Sequence, residues 1–211
     1  ERQNVLYGIL GSFFGALAFG CRPPIALANL LAIPMFLHYL KGKRCDFKLC
    51  QQILLFLLPY VVIGLLLMIY NDLRFDNPFE FGQSYQLTSA DQSNYGNVLS
   101  RFDLANIING LLENFIAYKP LNNTFPYVSF SSVLINFPIG IAAFFCFTQA
   151  KTLNLLKKQH MNGFMIVLWL LPMLITIVEV LMSPYLLERY RSDIYWLIGL
   201  ASFLSFGFFF Q

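Results

Sequence analysis

The chain has 211 residues, of which 57% are hydrophobic and only 12% are charged, with a formal net charge of +3 and a mean hydropathy of +0.61. Soluble domains carry about 25% charged residues, so this composition excludes an ordinary soluble enzyme, a disordered chain and a disulfide scaffold. We interpret the chain as an all-α polytopic membrane protein with about six transmembrane helices and the lipid bilayer as its surroundings.

Residues 1–70 predict three transmembrane helices and one basic inner loop. The apolar run over 5–40 is too long for a single span, and Arg22-Pro23-Pro24 interrupts it, which predicts two short helices over 5–21 and 24–40. A basic loop over 41–50 follows, and a third span covers 52–70. The first helix carries small residues at intervals of four, a pattern typical of close helix packing in lipid, so we expect a helix-packing partner.

Residues 71–131 form a polar excursion that we expect on the outer face of the membrane. Within 96–118 the apolar residues recur with a helical period, which predicts an amphipathic helix, and Ser100 with Asp103 resembles a capping box at its start. Such a helix either lies on the membrane surface with its apolar face among the headgroups or packs on the rest of this outer loop. The sequence leaves both arrangements open.

Residues 132–211 predict three further spans, over 132–149, 164–182 and 195–211, separated by a basic segment at 151–163 and a short polar loop at 183–194. The basic segments decide the orientation. Six of the seven lysines lie in segments that a cytoplasmic N-terminus would place inside, at positions 41, 43, 48, 151, 157 and 158. The positive-inside rule therefore predicts an integral membrane protein whose N-terminus is cytoplasmic.

Five charged residues near the predicted outer face are candidates for binding a substrate or the phosphate of a lipid. The arginines are candidates because guanidinium groups bind phosphate through two parallel hydrogen bonds. Each arginine also has a structural interpretation, either snorkelling to the interface or pairing with neighbouring carboxylates. The candidates are Arg22, Arg74, Glu80, Arg189 and Arg191.

Other titratable residues give no cofactor or metal assignment. His38 and His160 stand alone in the sequence, and the carboxylates over 72–80 have a spacing that suits an ion-paired anchor better than a divalent metal site. Glu179 lies inside the fifth predicted span, where a carboxylate either pairs with a neighbouring span or takes part in proton or substrate movement. No basic run interleaved with aromatic residues predicts a nucleic-acid surface.

Three motifs in order carry a resemblance to a known family. A glycine-rich helix ends in Arg22-Pro23, a span runs into Tyr70-Asn71-x-x-Arg74-Phe75-x-Asn77-Pro78-x-Glu80-Phe81-Gly82, and Arg189-Tyr190-x-x-Asp193 precedes the last span. This order resembles the C-terminal half of bacterial polytopic membrane glycosyltransferases of the GT-C superfamily, relatives of protein mannosyltransferases and lipid sugar transferases. Asp76 stands where that pattern has glycine.

The resemblance implies an enzyme of the bacterial cytoplasmic membrane that transfers a sugar from a polyprenyl-phosphate donor on the outer face. It places the catalytic Asp in an N-terminal outer loop that no segment here matches, so we expect the chain to be a fragment or reduced homologue with that Asp outside it. The four arginines would then contact the donor. Two other classes stay open: a transporter or flippase subunit with Arg22 and Glu179 lining its path, and a non-catalytic membrane scaffold.

Overall fold

The computed structural model describes residues 2–21, 23–41, 47–82, 102–118, 132–182 and 191–211, and most of these residues are helical. No strand occurs in those ranges. The elements are α1 Arg2–Cys21, a 3₁₀ helix Pro23–Leu31, α2 Ala32–Leu40, α3 Phe47–Phe75, α4 Leu104–Phe115, α5 Val133–Asn136, α6 Ile139–Thr148, α7 Ala150–Lys158, α8 Asn162–Met182 and α9 Ser192–Phe209.

Among these described elements, α3, α8 and α9 are each long and apolar enough to cross a membrane. Helices α6 and α7, which meet at a bend of 70°, add a fourth candidate if the pair is taken as one span. The first two predicted spans correspond to shorter apolar helices, Val5–Cys21 and Pro24–Leu40. Three to four possible spans are consistent with an integral membrane protein, whereas the sequence predicts six.

Two sequence predictions about the apolar helices and the segments between them need correction. The break after Cys21 is confirmed, but residues 24–31 are 3₁₀ rather than α-helical, and the α-helix resumes only at Ala32. Pro34 explains this, because a proline removes one helical hydrogen bond and its ring clashes with the carbonyl four residues earlier. The basic segment predicted as a loop at 151–163 instead contains α7.

The helix predicted within residues 96–118 is shorter in the structure than predicted. Helix α4 begins at Leu104, and Asp103 is its N-cap, with Oδ1 accepting a hydrogen bond from the Ala105 N–H at 3.0 Å. The predicted capping box is therefore wrong in register, because Asp103 is the cap and not the third helical residue. Ser100 lies outside the described residues.

Contacts between Cα atoms divide the chain into two compact units. Unit 1 comprises Glu1–Asn29 and Tyr39–Asn97, and unit 2 comprises Leu30–His38 and Val98–Gln211. In unit 1, α1 packs along α3. In unit 2, α9 packs against α6, α7 and α8, and α4 packs against α8.

The core of unit 2 lies where α8 and α9 meet their neighbours. Its best-buried side chains are almost wholly enclosed, and large aliphatic residues predominate among them. Leu168 and Ile175 on α8 and Ile194 and Leu197 on α9 have no exposed surface. Because lipid is as apolar as these side chains, the gain from this packing comes from close van der Waals contact rather than from leaving water.

Candidate functional site

The last turn of α3 and the compact turn that follows it contain two of the candidate residues, Arg74 and Glu80. Helix α3 ends at Phe75, and Asp76 takes a left-handed conformation with φ of 52° while its N–H donates to the Asp72 carbonyl at 2.8 Å. Asn77 Oδ1 then accepts the Phe79 N–H at 3.0 Å, an Asx turn. An Asn-Pro pair favours such a turn, because the amide side chain bonds to the backbone two residues on and the proline ring fixes φ.

The turn packs back against α3 and α1 within unit 1. Asn71, which is 4% exposed, donates from Nδ2 to the Pro78 carbonyl at 3.3 Å. Gly82 has φ of +81°, and a Cβ there would lie 2.9 Å from the Phe75 ring, so glycine is required for this close approach. The Phe81 ring meets the Phe19 ring of α1 edge to face at 6.0 Å between centroids.

Arg74 is exposed on this turn and is held in place by aromatic side chains. Its guanidinium carbon lies 4.8 Å from the Phe75 ring centroid and 5.9 Å from that of Tyr70, and Nη1 donates to the Tyr70 hydroxyl at 3.1 Å. Cation–π contacts of this length hold an arginine without neutralising its charge. The guanidinium therefore remains a positive group with further donors at the carboxyl end of a long apolar helix.

The surroundings of Arg74 combine charge with exposed aromatic surface. Phe79 is 74% exposed and Tyr70 55% exposed, while Glu80 is half-buried in the same turn. Arg74 and Glu80 both belong to this segment, which we call the α3 turn and define as residues 70–82. Its chemistry suits a ligand that carries both an anionic group and an apolar or sugar-like face.

Arg191 lies in a different environment, inside unit 2. It is 2% exposed, and its Nε donates to Asn114 Oδ1 at 3.3 Å. Asn114 Nδ2 donates in turn to Thr176 Oγ1 at 3.2 Å, and the Thr176 hydroxyl donates to the Pro172 carbonyl at 2.9 Å. This chain of hydrogen bonds, the buried polar cluster, joins α4, α8 and the start of α9.

Two carboxylates are enclosed in the same unit. Glu179 follows Thr176 by three residues on α8, which places the two side chains on one helical face, and it is 2% exposed. Asp193, in the first turn of α9, is 4% exposed. Buried carboxylates and a buried guanidinium at the ends of apolar helices hold the helices in one arrangement, provided that each is hydrogen-bonded or paired.

Two candidate residues fall outside the described part of the chain, and two residues of the buried polar cluster were not predicted from the sequence. Arg22 and Arg189 lie outside the described residues. Sequence reasoning missed the burial of Asn114, because asparagines occur at positions 106, 109 and 114 of α4 and the sequence does not mark which of them faces α8. It also missed Thr176, which a run of apolar residues conceals. The four-residue spacing of Tyr70 and Arg74 was the one available signal for their contact.

Comparisons with known proteins do not add to this description. A search with the chain finds no matching family model, no matching curated protein and no matching solved structure.

Proposed function

We propose that the chain is part of a membrane glycosyltransferase that takes a sugar from a polyprenyl-phosphate donor, with Arg74 binding the phosphate of that donor. The observation that carries the proposal is the exposed guanidinium held by Phe75 and Tyr70 at the end of an apolar helix. A lipid phosphate bound there would leave its prenyl chain beside α3, whose side chains are largely exposed and apolar.

The neighbouring residues have roles in this proposal. Glu80 would accept hydrogen bonds from sugar hydroxyls, and the exposed face of Phe79 would contact the apolar face of the sugar ring. Arg22 and Arg189 would provide further contacts to the donor. Arg191 would act at a distance, by holding α4 against α8 and α9 through Asn114. The catalytic carboxylate would belong to a segment outside this chain.

The topology of the proposed enzyme has six spans: the two short apolar helices before α3, then α3 itself, residues 132–149, α8 and α9. Its N-terminus would be cytoplasmic, and the α3 turn would face the outer side of a bacterial cytoplasmic membrane. The lysine distribution supports this orientation. Helix α4 would lie near the outer surface, with Leu104, Ile108 and Leu112 exposed along one stripe toward the headgroups.

Binding of a short prenyl phosphate to the purified chain tests the proposal. Farnesyl phosphate is titrated into the detergent-solubilised protein by calorimetry, with farnesol as the probe that lacks phosphate. Arg74→Gln should weaken farnesyl phosphate binding by tenfold or more, on the order of the 1.5–3 kcal/mol of a hydrogen bond to a charged group. Farnesol binding should not change.

A matched variant controls for general changes in the charge of this surface. Asp72→Asn alters an exposed charge two residues earlier on α3 and should leave or strengthen phosphate binding. Arg74→Lys should recover only part of the affinity, since lysine lacks the bidentate fork. If Arg74→Gln binds farnesyl phosphate as tightly as the parent, the donor site is not at the α3 turn.

A transporter or flippase subunit is the second candidate, and the burial of Glu179 within a possible span favours it. Ionisable groups at membrane depth are costly and commonly line the path of a substrate or proton. Proton-coupled uptake into liposomes that contain the chain would support this candidate if Glu179→Gln abolished it. Uptake that is equal in the parent, the variant and protein-free liposomes would exclude it.

A further inference from the structure

Helix α7 departs sharply from the apolar helix that precedes it. Helix α6 contains no charged residue over Ile139–Thr148, and α7 begins two residues later with its axis turned by 70°. If α6 runs along the membrane normal, a bend of this size brings α7 close to the plane of the membrane surface. The composition of α7 fits that position, because three of its nine residues are lysines.

The two faces of α7 are well separated. Thr152 and Leu156, four residues apart, have no exposed surface and anchor the helix to unit 2. Lys157 and Lys158 are exposed. Lys151 is exposed as well, and its Nζ donates to the Phe209 carbonyl at 3.4 Å, which ties the start of α7 to the end of α9.

The last turn of α7 fixes where Lys157 and Lys158 lie. The His160 N–H donates to the Lys157 carbonyl at 3.2 Å, and the Met161 N–H donates to the Leu156 carbonyl at 2.9 Å, which together form a Schellman motif. His160 takes the left-handed position of that motif, with φ of 59°, where glycine is usual. Its ring stacks on that of His38 at 4.4 Å between centroids.

The positive charge of this surface is not offset along the neighbouring sequence. No Asp or Glu occurs between Glu113 and Glu179, so α6, α7 and most of α8 are without acidic residues. On α9, Asp193 lies sixteen residues before Phe209, which is about 24 Å along the helix from the end that contacts Lys151. Lys157 and Lys158 also stand in the last turn of α7, where the helix dipole favours cations.

We infer that α7 is an interfacial helix that binds the headgroups of anionic phospholipids through Lys157 and Lys158. A basic amphipathic helix between two apolar helices lies at the depth of lipid phosphates, and each lysine near an anionic surface attracts it. His160 and His38 mark the end of this surface, and Pro34 packs there against Gly163, whose Cβ, if present, would lie 3.1 Å from that of Pro34. The occupant is an anionic lipid and not a soluble phosphate, because α6 and α8 bring the surface to the edge of the bilayer.

Quenching of Trp169 by brominated lipids measures this binding. Trp169 lies on α8, half-buried against Phe144 and Phe147 of α6, so acyl chains of a lipid bound at α7 pass near it. Trp196 on α9 is 45% exposed and is replaced by Phe to leave a single tryptophan. The Trp196→Phe chain in nanodiscs should be quenched more strongly by brominated phosphatidylglycerol than by brominated phosphatidylcholine.

Variants of the two lysines decide the inference. Lys157→Gln with Lys158→Gln should reduce the preference for phosphatidylglycerol roughly fivefold for each lysine removed. The matched pair Lys157→Arg with Lys158→Arg should retain the preference. Equal quenching by the two lipids in the parent overturns the inference, and so does a preference that survives in the glutamine pair or is lost in the arginine pair.

Salt gives a measurement that needs no lysine variant. An electrostatic preference at an exposed helix should decline as NaCl rises toward about 1 M, where the Debye length is about 3 Å. A preference unchanged across that series overturns the inference even if the glutamine pair fails to fold. Circular dichroism of each variant establishes that the helices are retained.

Discussion

Helix α3 of unit 1 and helix α8 of unit 2 are similarly apolar but are buried to very different extents. In unit 1, only 6% of the most apolar window of α3 is buried, whereas in unit 2 the corresponding windows of α8 and α9 are 39% and 44% buried. Helix α3 therefore keeps most of its side chains at least partly exposed, although α1 packs along one side of it, while α8 and α9 bury much of their surface against each other and against α4 and α6. Hydropathy alone does not distinguish these two uses of an apolar helix.

Polar groups follow the same division. In unit 2 they are enclosed and joined in the buried polar cluster, so that removing one should weaken the packing of several helices at once. In unit 1 the polar contacts lie where α1, the 3₁₀ helix and α3 approach closely. A substitution that adds side-chain volume there should therefore destabilise unit 1. The predictions below use this contrast, beginning with the largest expected effect.

Asn114→Ala should destabilise unit 2 by about 3 kcal/mol. The substitution removes the acceptor of a hydrogen bond from the buried Arg191 and the donor of a bond to the buried Thr176, and bonds to charged groups contribute the larger share. The free energy of unfolding measured by SDS titration in mixed micelles gives the effect. Asn109→Ala, at an exposed position on the same helix, should change that free energy by less than about 0.5 kcal/mol.

Equal losses in the two variants would contradict this prediction. In that case the asparagines would act through the helix propensity of α4, which they share, and not through the buried polar cluster.

Gly15→Ala should destabilise unit 1 by about 2 kcal/mol, an overpacking effect. A Cβ at Gly15 would lie 2.6 Å from the Tyr60 hydroxyl and closer still to Asn29 Oδ1, and these two side chains are hydrogen-bonded at 3.0 Å. Asn29 also donates to the Gly15 carbonyl at 3.0 Å, so α1, the 3₁₀ helix and α3 are all affected. Thermal unfolding in detergent measures the change.

Gly11→Ala is the matched control, because nothing lies within 4 Å of a Cβ at that position on the same helix. It should be neutral or stabilising by up to about 1 kcal/mol, since alanine is the better helix former. A loss at Gly11 as large as that at Gly15 would show that the whole face of α1 is packed, in conflict with the open space beside it.

The sequence predicts much of the fold where local chemistry decides it. The break at Pro23-Pro24, the turn at Asn77-Pro78 and the use of glycine at position 82 all follow from backbone restrictions that act within a few residues. The approximate positions of α3, α8 and α9 follow from apolar runs of sufficient length.

Features decided by packing were not predictable in the same way. Whether Asn114 faces solvent or the interior depends on which side of α4 meets α8, and the periodicity of α4 leaves both sides available. The exposure of Arg74 and the burial of Arg191 also depend on packing. Arg74 lies at the end of one apolar helix and Arg191 just before another, so the sequence does not show which of them is enclosed. The bend between α6 and α7 lies at Gln149, and no proline or glycine stands next to it from which the bend could be predicted.

Asp103→Ala should destabilise α4 by about 1 kcal/mol, the usual contribution of an N-cap. The carboxylate accepts the Ala105 N–H at 3.0 Å, and the variant would leave that donor without its intramolecular partner. Amide hydrogen exchange over 104–108 measures the change locally, and Asn106→Ala, exposed in the same turn, is the control. Unchanged exchange in Asp103→Ala would mean that packing on α8 alone holds the start of α4.

The stacked histidines should show the smallest effect, a coupling free energy of about 0.5–1 kcal/mol typical of aromatic pairs. A double-mutant cycle with His38→Ala and His160→Gly isolates it. His160→Gly alone should be nearly neutral, because glycine relieves the left-handed strain at φ of 59° while the ring contact is lost. In the His38→Ala background the same substitution should be stabilising, since the strain is relieved and no contact remains to be lost. Identical effects of His160→Gly in the two backgrounds would mean that the stacked rings contribute no coupling free energy. The strained conformation at the end of α7 would then not be compensated by contact with His38.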